Sequence, residues 1–169
     1  MLIYLIGFMG SGKTTAGKKL ARKLAYDFID LDALIESETE LTISEFFNQF
    51  GEDKFRQTEQ QALRKTFEYK NTVISTGGGA PCFFNNMGEI NKHGVSIYLQ
   101  ANIGLIISRL QGEKNQRPLI KDKNEEEFRA YINKLLIERE VYYSKAKLIV
   151  DAKNLNIEQL KSKITELLS

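Results

Sequence analysis

The sequence predicts an α/β fold: one domain over residues 1–169, with five parallel strands flanked by helices. Three observations predict it. Short apolar runs alternate along the chain with longer segments of helical periodicity. The first run, Leu2–Ile6, is continuously apolar, as a central strand buried on both faces must be. It leads directly into Gly7-Phe8-Met9-Gly10-Ser11-Gly12-Lys13-Thr14, a G-x-x-x-x-G-K-T phosphate-binding loop between a strand and a helix.

Each element follows in order. A helix is expected from near Ser11, with Ala16, Leu20 and Leu24 on its apolar side. Residues 28–30 make a second strand, after which Asp32 is placed to cap the next helix. Residues 33–69 read as helical, with breaks near Thr42 and Gly51. Residues 73–76 form the third strand and run into Gly77, Gly78 and Gly79. Residues 95–99 form the fourth, between helical patterns at 87–92 and Ile103–Gln111. Residues 112–124 are polar, contain Pro118 and read as a mobile lid. A long helix over 125–144, a strand over 148–150 and a helix over Ile157–Leu168 close the chain.

Composition narrows the function. A net charge of +2 without a basic run argues against nucleic acid as a partner. No apolar stretch reaches the ~20 residues of a membrane span. A strand from residue 2 leaves no room for a leader, and the single Cys82 fits a reducing compartment. A cytoplasmic location is the expectation.

The phosphate-binding loop implies a nucleoside triphosphate. Its glycines let backbone N–H groups curl around an anion, and the following helix aims its positive end there. Lys13 is placed to reach the β- and γ-phosphates, with the Thr14 hydroxyl on Mg²⁺. Asp30 and Asp32 share a face at the end of the second strand, one suited to the metal and one to a substrate hydroxyl. Arg56 and Glu59 stand i, i+3 on one helix face. Spacing alone favours a surface ion pair; the sharper reading has Glu59 orient Arg56 to clamp a carboxylate. Three successive glycines suggest backbone lying close against a ligand. Arg117, in the lid, is a candidate to stabilise charge on the transferring phosphoryl group. Cys82 and His93 read as packing and helix-end residues.

Together these segments resemble the shikimate kinase family over essentially the whole chain. Phe28-Ile29-Asp30-Leu31-Asp32, Phe55-Arg56 with Glu59, Gly77-Gly78-Gly79, Arg117-Pro118-Leu119 and Arg139 follow the loop in the family's order. The resemblance implies a P-loop kinase of the nucleoside-monophosphate-kinase-like fold, strand order 2-3-1-4-5. It implies ATP-dependent phosphorylation of the 3-hydroxyl of shikimate, with Mg²⁺, in aromatic amino-acid biosynthesis. By similarity Lys13, Asp32 and Arg117 are catalytic, Asp32 as the base. Asp32, Arg56, Gly78, Gly79 and Arg139 bind shikimate, with residues 33–69 as the acceptor-binding region. Gly10, Ser11, Gly12, Lys13, Thr14, Thr15, Arg109, Arg117 and Asn154 bind ATP. Thr14 and Asp30 hold the metal, with Ser75 near its shell. The chain departs from the family at Val141, where proline is common, and in residues 153–156, which lack the usual arginine and proline. A monomer is expected. The competing readings are a gluconate or nucleotide kinase of the same fold and a regulatory module that binds ATP without turnover.

Overall fold

The computed structural model describes residues 1–111 and 124–169. The expected lid and its Arg117 lie outside the described residues, Asn124 excepted. Strands β1 (Leu2–Ile6), β2 (Asp27–Asp30), β3 (Thr72–Ser75), β4 (Val95–Gln100) and β5 (Leu148–Asp151) form one sheet. Its order is β2-β3-β1-β4-β5 and each of its four pairings is parallel, as expected. Helices α1 (Lys13–Leu24), α2 (Leu31–Thr39), α3 (Ile43–Lys65), α4 (Asn86–His93), α5 (Ile103–Gln111), α6 (Glu125–Tyr143) and α7 (Ile157–Leu168) flank it.

Burial explains the strand pattern. Every residue of β1 is buried, because helices cover the central strand on both faces. Register then sets the site. Leu5 of β1 and Asp30 of β2 both stand opposite Ser75 of β3, so the three strands end at one level. The phosphate-binding loop, the start of α2 and the glycine triplet all emerge there. This is where ligands collect in open parallel sheets.

The helix starts differ in a telling way. Side chains cap α2 (Asp30), α3 (Thr42), α6 (Asn124) and α7 (Asn156). Helix α1 begins at Gly12 with φ 94°, no side-chain cap and no acid in its first turn. It starts two residues later than expected, because Gly10 and Gly12 both hold positive φ and keep the chain out of the helical region. Asp32 is not the cap of α2. Strand β2 enters α2 with no intervening residue, so Asp30 takes the cap position and accepts from the Asp32 and Ala33 N–H groups.

Gly51 is non-helical, so α3 is two helices that meet at a kink there, at the expected break. Phe47 and Phe55, eight residues apart, would be about 12 Å apart along a straight helix. Their ring centroids lie 4.6 Å apart because the bend folds the two halves together. The second half carries Arg56 and Glu59, so the bend also sets their direction.

Gly51 has φ 77° and ψ 175°, a conformation essentially reserved for glycine, and no atom lies within 4 Å of an added Cβ. Gly51→Ala is therefore expected to cost about 1–3 kcal/mol through the backbone alone. Thermal denaturation should show a fall in Tm of several degrees, and an unchanged Tm would mean the bend does not depend on glycine.

Candidate active site

The bare N-terminus of α1 opens on a cleft of about 210 Å³ lined by Lys13, Thr14, Asp30, Asp32, Ser75 and Gly77 among others. Lys13 is buried, and its Nζ donates to the Gly7 and Phe8 carbonyls at 2.9 Å each. The lysine thus holds the loop closed around the space it faces. Ser11 Oγ is buried without a hydrogen-bond partner among the described residues. A Cβ on Gly7 would sit 2.8 Å from the Leu99 carbonyl, so only glycine lets the loop lie this close to β4. The first N–H groups of a helix have no internal partner, and here no side chain answers them. This cradle fits a polyphosphate.

Beside it lies a second cleft of about 550 Å³, with Ser11, Thr15, Lys19, Arg109, Lys153 and Leu155 in its lining. Arg109 reaches over the loop and donates from Nη1 to the Gly10 carbonyl at 2.9 Å. Asn154 donates instead to Asp151 Oδ2 at 2.8 Å, while its neighbours Lys153 and Leu155 face the cleft.

Thr14 Oγ1 donates to Asp30 Oδ2 at 2.7 Å and lies 3.5 Å from Ser75 Oγ. No cluster of three or more His, Cys, Asp or Glu exists among the described residues. One carboxylate and one hydroxyl beside a phosphate cradle suit Mg²⁺, which keeps waters and takes phosphate oxygens in place of a full protein cage.

The glycine triplet borders four charged groups. A Cβ on Gly77 would meet Glu59 Oε1 at 2.6 Å and Asp32 Oδ1 at 3.0 Å. On Gly78 it would lie 3.3 Å from Arg139 Nη1, and on Gly79 2.5 Å from Arg56 Nη1. The close approach foreseen at these glycines is thus made by side chains of the site itself. Arg56 is fixed by Glu59 Oε2 at 2.9 Å, by Glu52 Oε1 at 3.0 Å and by the Phe83 ring 4.2 Å below it. Arg139 is also buried, lies 5.5 Å from the Phe8 ring centroid, and leaves Nη1 without a hydrogen-bond partner among the described residues. A buried cationic N–H left open is costly. An anion beside Gly78 would satisfy it.

The exposed ion pair favoured by spacing is overturned. Arg56 and Glu59 are 5% and 1% exposed, because this face of α3 lies against the triplet and Phe83. Burial lifts the Glu59 carboxyl to about 7 against the pull of Arg56, and the Asp32 carboxylate adds to the lift.

The comparisons with known proteins agree with this geometry. The family model described as shikimate kinase matches residues 9–169. The shikimate kinase of Azobacteroides pseudotrichonymphae is 45% identical over 159 residues, covering 94% of each chain. The crystal structure of Bacteroides thetaiotaomicron shikimate kinase superposes with TM-score 0.90 at 41% identity, over 99% of this chain and 98% of that one. This chain belongs to the shikimate kinase family. The Acinetobacter baumannii shikimate kinase, solved in complex with shikimate, superposes with TM-score 0.88 at 34% identity, over 99% and 92% of the two chains. Members of the family use ATP with Mg²⁺.

The structure brings Lys13, Thr14, Asp30, Asp32 and Gly78 together around one cleft, with Arg56 and Arg139 against the triplet. Gly10, Gly12 and Thr15 border both clefts, and Ser11 and Arg109 border the larger one. Helix α6 continues through Val141, so the missing proline leaves Arg139 on an unbroken helix. Burial raises the Cys82 thiol to about 11, and His93 ends α4 stacked on Phe67, as packing and helix-end residues would be. Sequence reasoning missed Glu52 and Phe83 as supports of Arg56. It also missed Tyr143, whose hydroxyl donates to the Gly78 carbonyl. Only the i, i+4 spacing of Glu52 and Arg56 carried a signal.

Gly79→Ala places a methyl where the Arg56 guanidinium lies, so that side chain must move. The KM for the acceptor is expected to rise about tenfold or more, the loss of roughly one charged hydrogen bond, with the KM for ATP nearly unchanged. Steady-state kinetics with each substrate varied would check this, and an unchanged acceptor KM would show that Arg56 is not needed in place.

Proposed function

We propose that Asp32, Arg56, Arg139 and the Gly78 and Gly79 backbone bind shikimate and orient its 3-hydroxyl toward the phosphate cradle. The observation that supports this most directly is the pair of guanidiniums set against consecutive glycines beside the Asp32 carboxylate. Two buried arginines, one with an open N–H, suit a carboxylate at one end of the acceptor. Asp32 then meets hydroxyls at the other. An open-chain sugar acid such as gluconate carries the carboxylate but has no ring to hold its hydroxyls at a fixed distance from it.

The chain's family reaction is the ATP-dependent phosphorylation of shikimate to shikimate 3-phosphate, in the route to aromatic amino acids. Bound ATP·Mg²⁺ supplies an activated phosphoryl group whose charge the metal partly neutralises. Thr14 and Asp30 are the residues to hold the ion, and the α1 N-terminus and Lys13 the groups to bind the phosphates. Arg109, Lys153 and Leu155 border the larger cleft, the proposed nucleoside side. Asp32 accepts the proton of the attacking hydroxyl, and its fixed place beside Gly77 keeps that oxygen aimed at the cradle. Arg117 keeps its proposed role on the sequence pattern alone.

Residues 33–69 serve as the acceptor-binding region within a single kinase domain over 1–169. We propose that the chain acts as a monomer. We place it in the cytoplasm, with no nucleic acid or membrane as partner. No helix among the described residues is long and apolar enough to cross a membrane.

A coupled assay of ADP release, run with and without shikimate, tests the reaction; turnover that does not require shikimate would defeat it. Asp32→Asn tests the base. Because Asp30 is the cap of α2, this change should leave the Tm within a few degrees and ATP·Mg²⁺ binding intact. The kcat/KM for shikimate is expected to fall at least ~100-fold. An active Asp32→Asn enzyme would move the base elsewhere.

A further inference from the structure

We infer that Tyr143 is a positioning residue that ties Arg139 and the peptide joining Gly78 to Gly79 into one acceptor-binding unit. The inference rests on the acceptor site proposed above. Tyr143 is the last residue of α6 and stands i, i+4 from Arg139, on the same helix face. It is fully buried. Its hydroxyl donates to the Gly78 carbonyl and lies beside the Arg139 guanidinium.

The Gly78 carbonyl and the Gly79 N–H belong to one planar trans peptide, so they point in opposite directions. A hydroxyl that holds the carbonyl therefore aims the N–H that would support the acceptor. Glycine on both sides of that peptide leaves its rotation otherwise free. Burial pushes the Tyr143 phenol far up despite Arg139, so it stays neutral and keeps its proton for this bond.

A second contact clamps the same turn. The Tyr143 ring packs on Tyr98 of β4, with centroids 5.1 Å apart. The Tyr98 hydroxyl donates to Glu140, the residue next to Arg139, and Gln100 donates to the other Glu140 oxygen at 3.2 Å. Helix α6 is thus pinned to β4 beside Arg139 and to the glycine triplet one turn later. Arg139 Nη1 remains open between them. Packing alone needs only the ring; phenylalanine would fill the same space. The hydroxyl is what reaches the two acceptor-binding groups.

Tyr143→Phe removes the hydroxyl and keeps the ring. The KM for shikimate is expected to rise roughly tenfold, with kcat and the KM for ATP within about twofold of the parent. The same change made in an Arg139→Lys background should add little, because partners that act together are not additive. A lower Tm with an unchanged shikimate KM would mark Tyr143 as structural only and overturn the inference. So would an equal, additive effect in both backgrounds. If Arg139→Lys alone leaves the shikimate KM unchanged, the acceptor-site reading fails and takes the inference with it. An effect of Arg139→Lys without one of Tyr143→Phe removes the inference alone. Should Tyr143→Phe not fold, Tyr98→Phe loosens the same turn from β4. A rise of about threefold in shikimate KM is then expected, and no rise overturns the clamp.

Discussion

Each oxygen of the Asp30 carboxylate fixes a different helix. One accepts the first N–H groups of α2, and the other accepts the Thr14 hydroxyl in the first turn of α1. A side-chain cap stabilises a helix start by about 1 kcal/mol, but the geometric effect here is larger than the energetic one. Because α2 begins at Asp30, Asp32 falls in its first turn, against Gly77. Because Asp30 is in register with Ser75, Gly77 falls two residues beyond the level where β2 ends. One carboxylate therefore sets the distance between the phosphate cradle and Asp32, the carboxylate proposed to face the acceptor. Donor and acceptor sides have a common origin at the end of β2.

The proposed acceptor side is built from charges that would be unfavourable almost anywhere else. Arg56, Glu59 and Arg139 are all buried, and a buried ion pair is weak ground for stability. What these charges supply is direction. Glu52, Glu59 and the Phe83 face leave Arg56 one place to be, and Gly79 has no side chain to contest it. Such preorganisation moves the cost of alignment from the encounter with substrate to the folding of the chain. At each glycine of the triplet a side chain of the site leaves little room for a Cβ.

Much of this was legible in the sequence, and the exceptions share a cause. The G-x-x-x-x-G-K-T loop, the continuous apolar β1 and the alternation of strands with helices are local patterns, and the structure follows them. The triplet was read as backbone close against a ligand, and what the structure sets against it is side chains of the site. The burial of Arg56 and Glu59 was illegible because i, i+3 spacing is the same on a solvated face and on a buried one. What decides is the bend at Gly51 and the packing of Phe83, 27 residues beyond Arg56. The cap of α2 was misassigned because both aspartates suit it, and only the absence of a loop after β2 selects Asp30. Tyr143 reads as one more aromatic in a helix, since its partner Gly78 is 65 residues away.

Helix α1 differs from its capped neighbours in leaving its N-terminus to whatever anion arrives. That makes the nucleotide a part of the fold as well as a reactant. Binding to the folded state alone stabilises it by about 2.7 kcal/mol when free ligand stands at 100 times its Kd. Helix α1 packs on β1, β2 and β3, so the ordering of its first turn reaches the strands that carry the site. When ATP is scarce, the chain lacks both its substrate and the linked stabilisation of its fold.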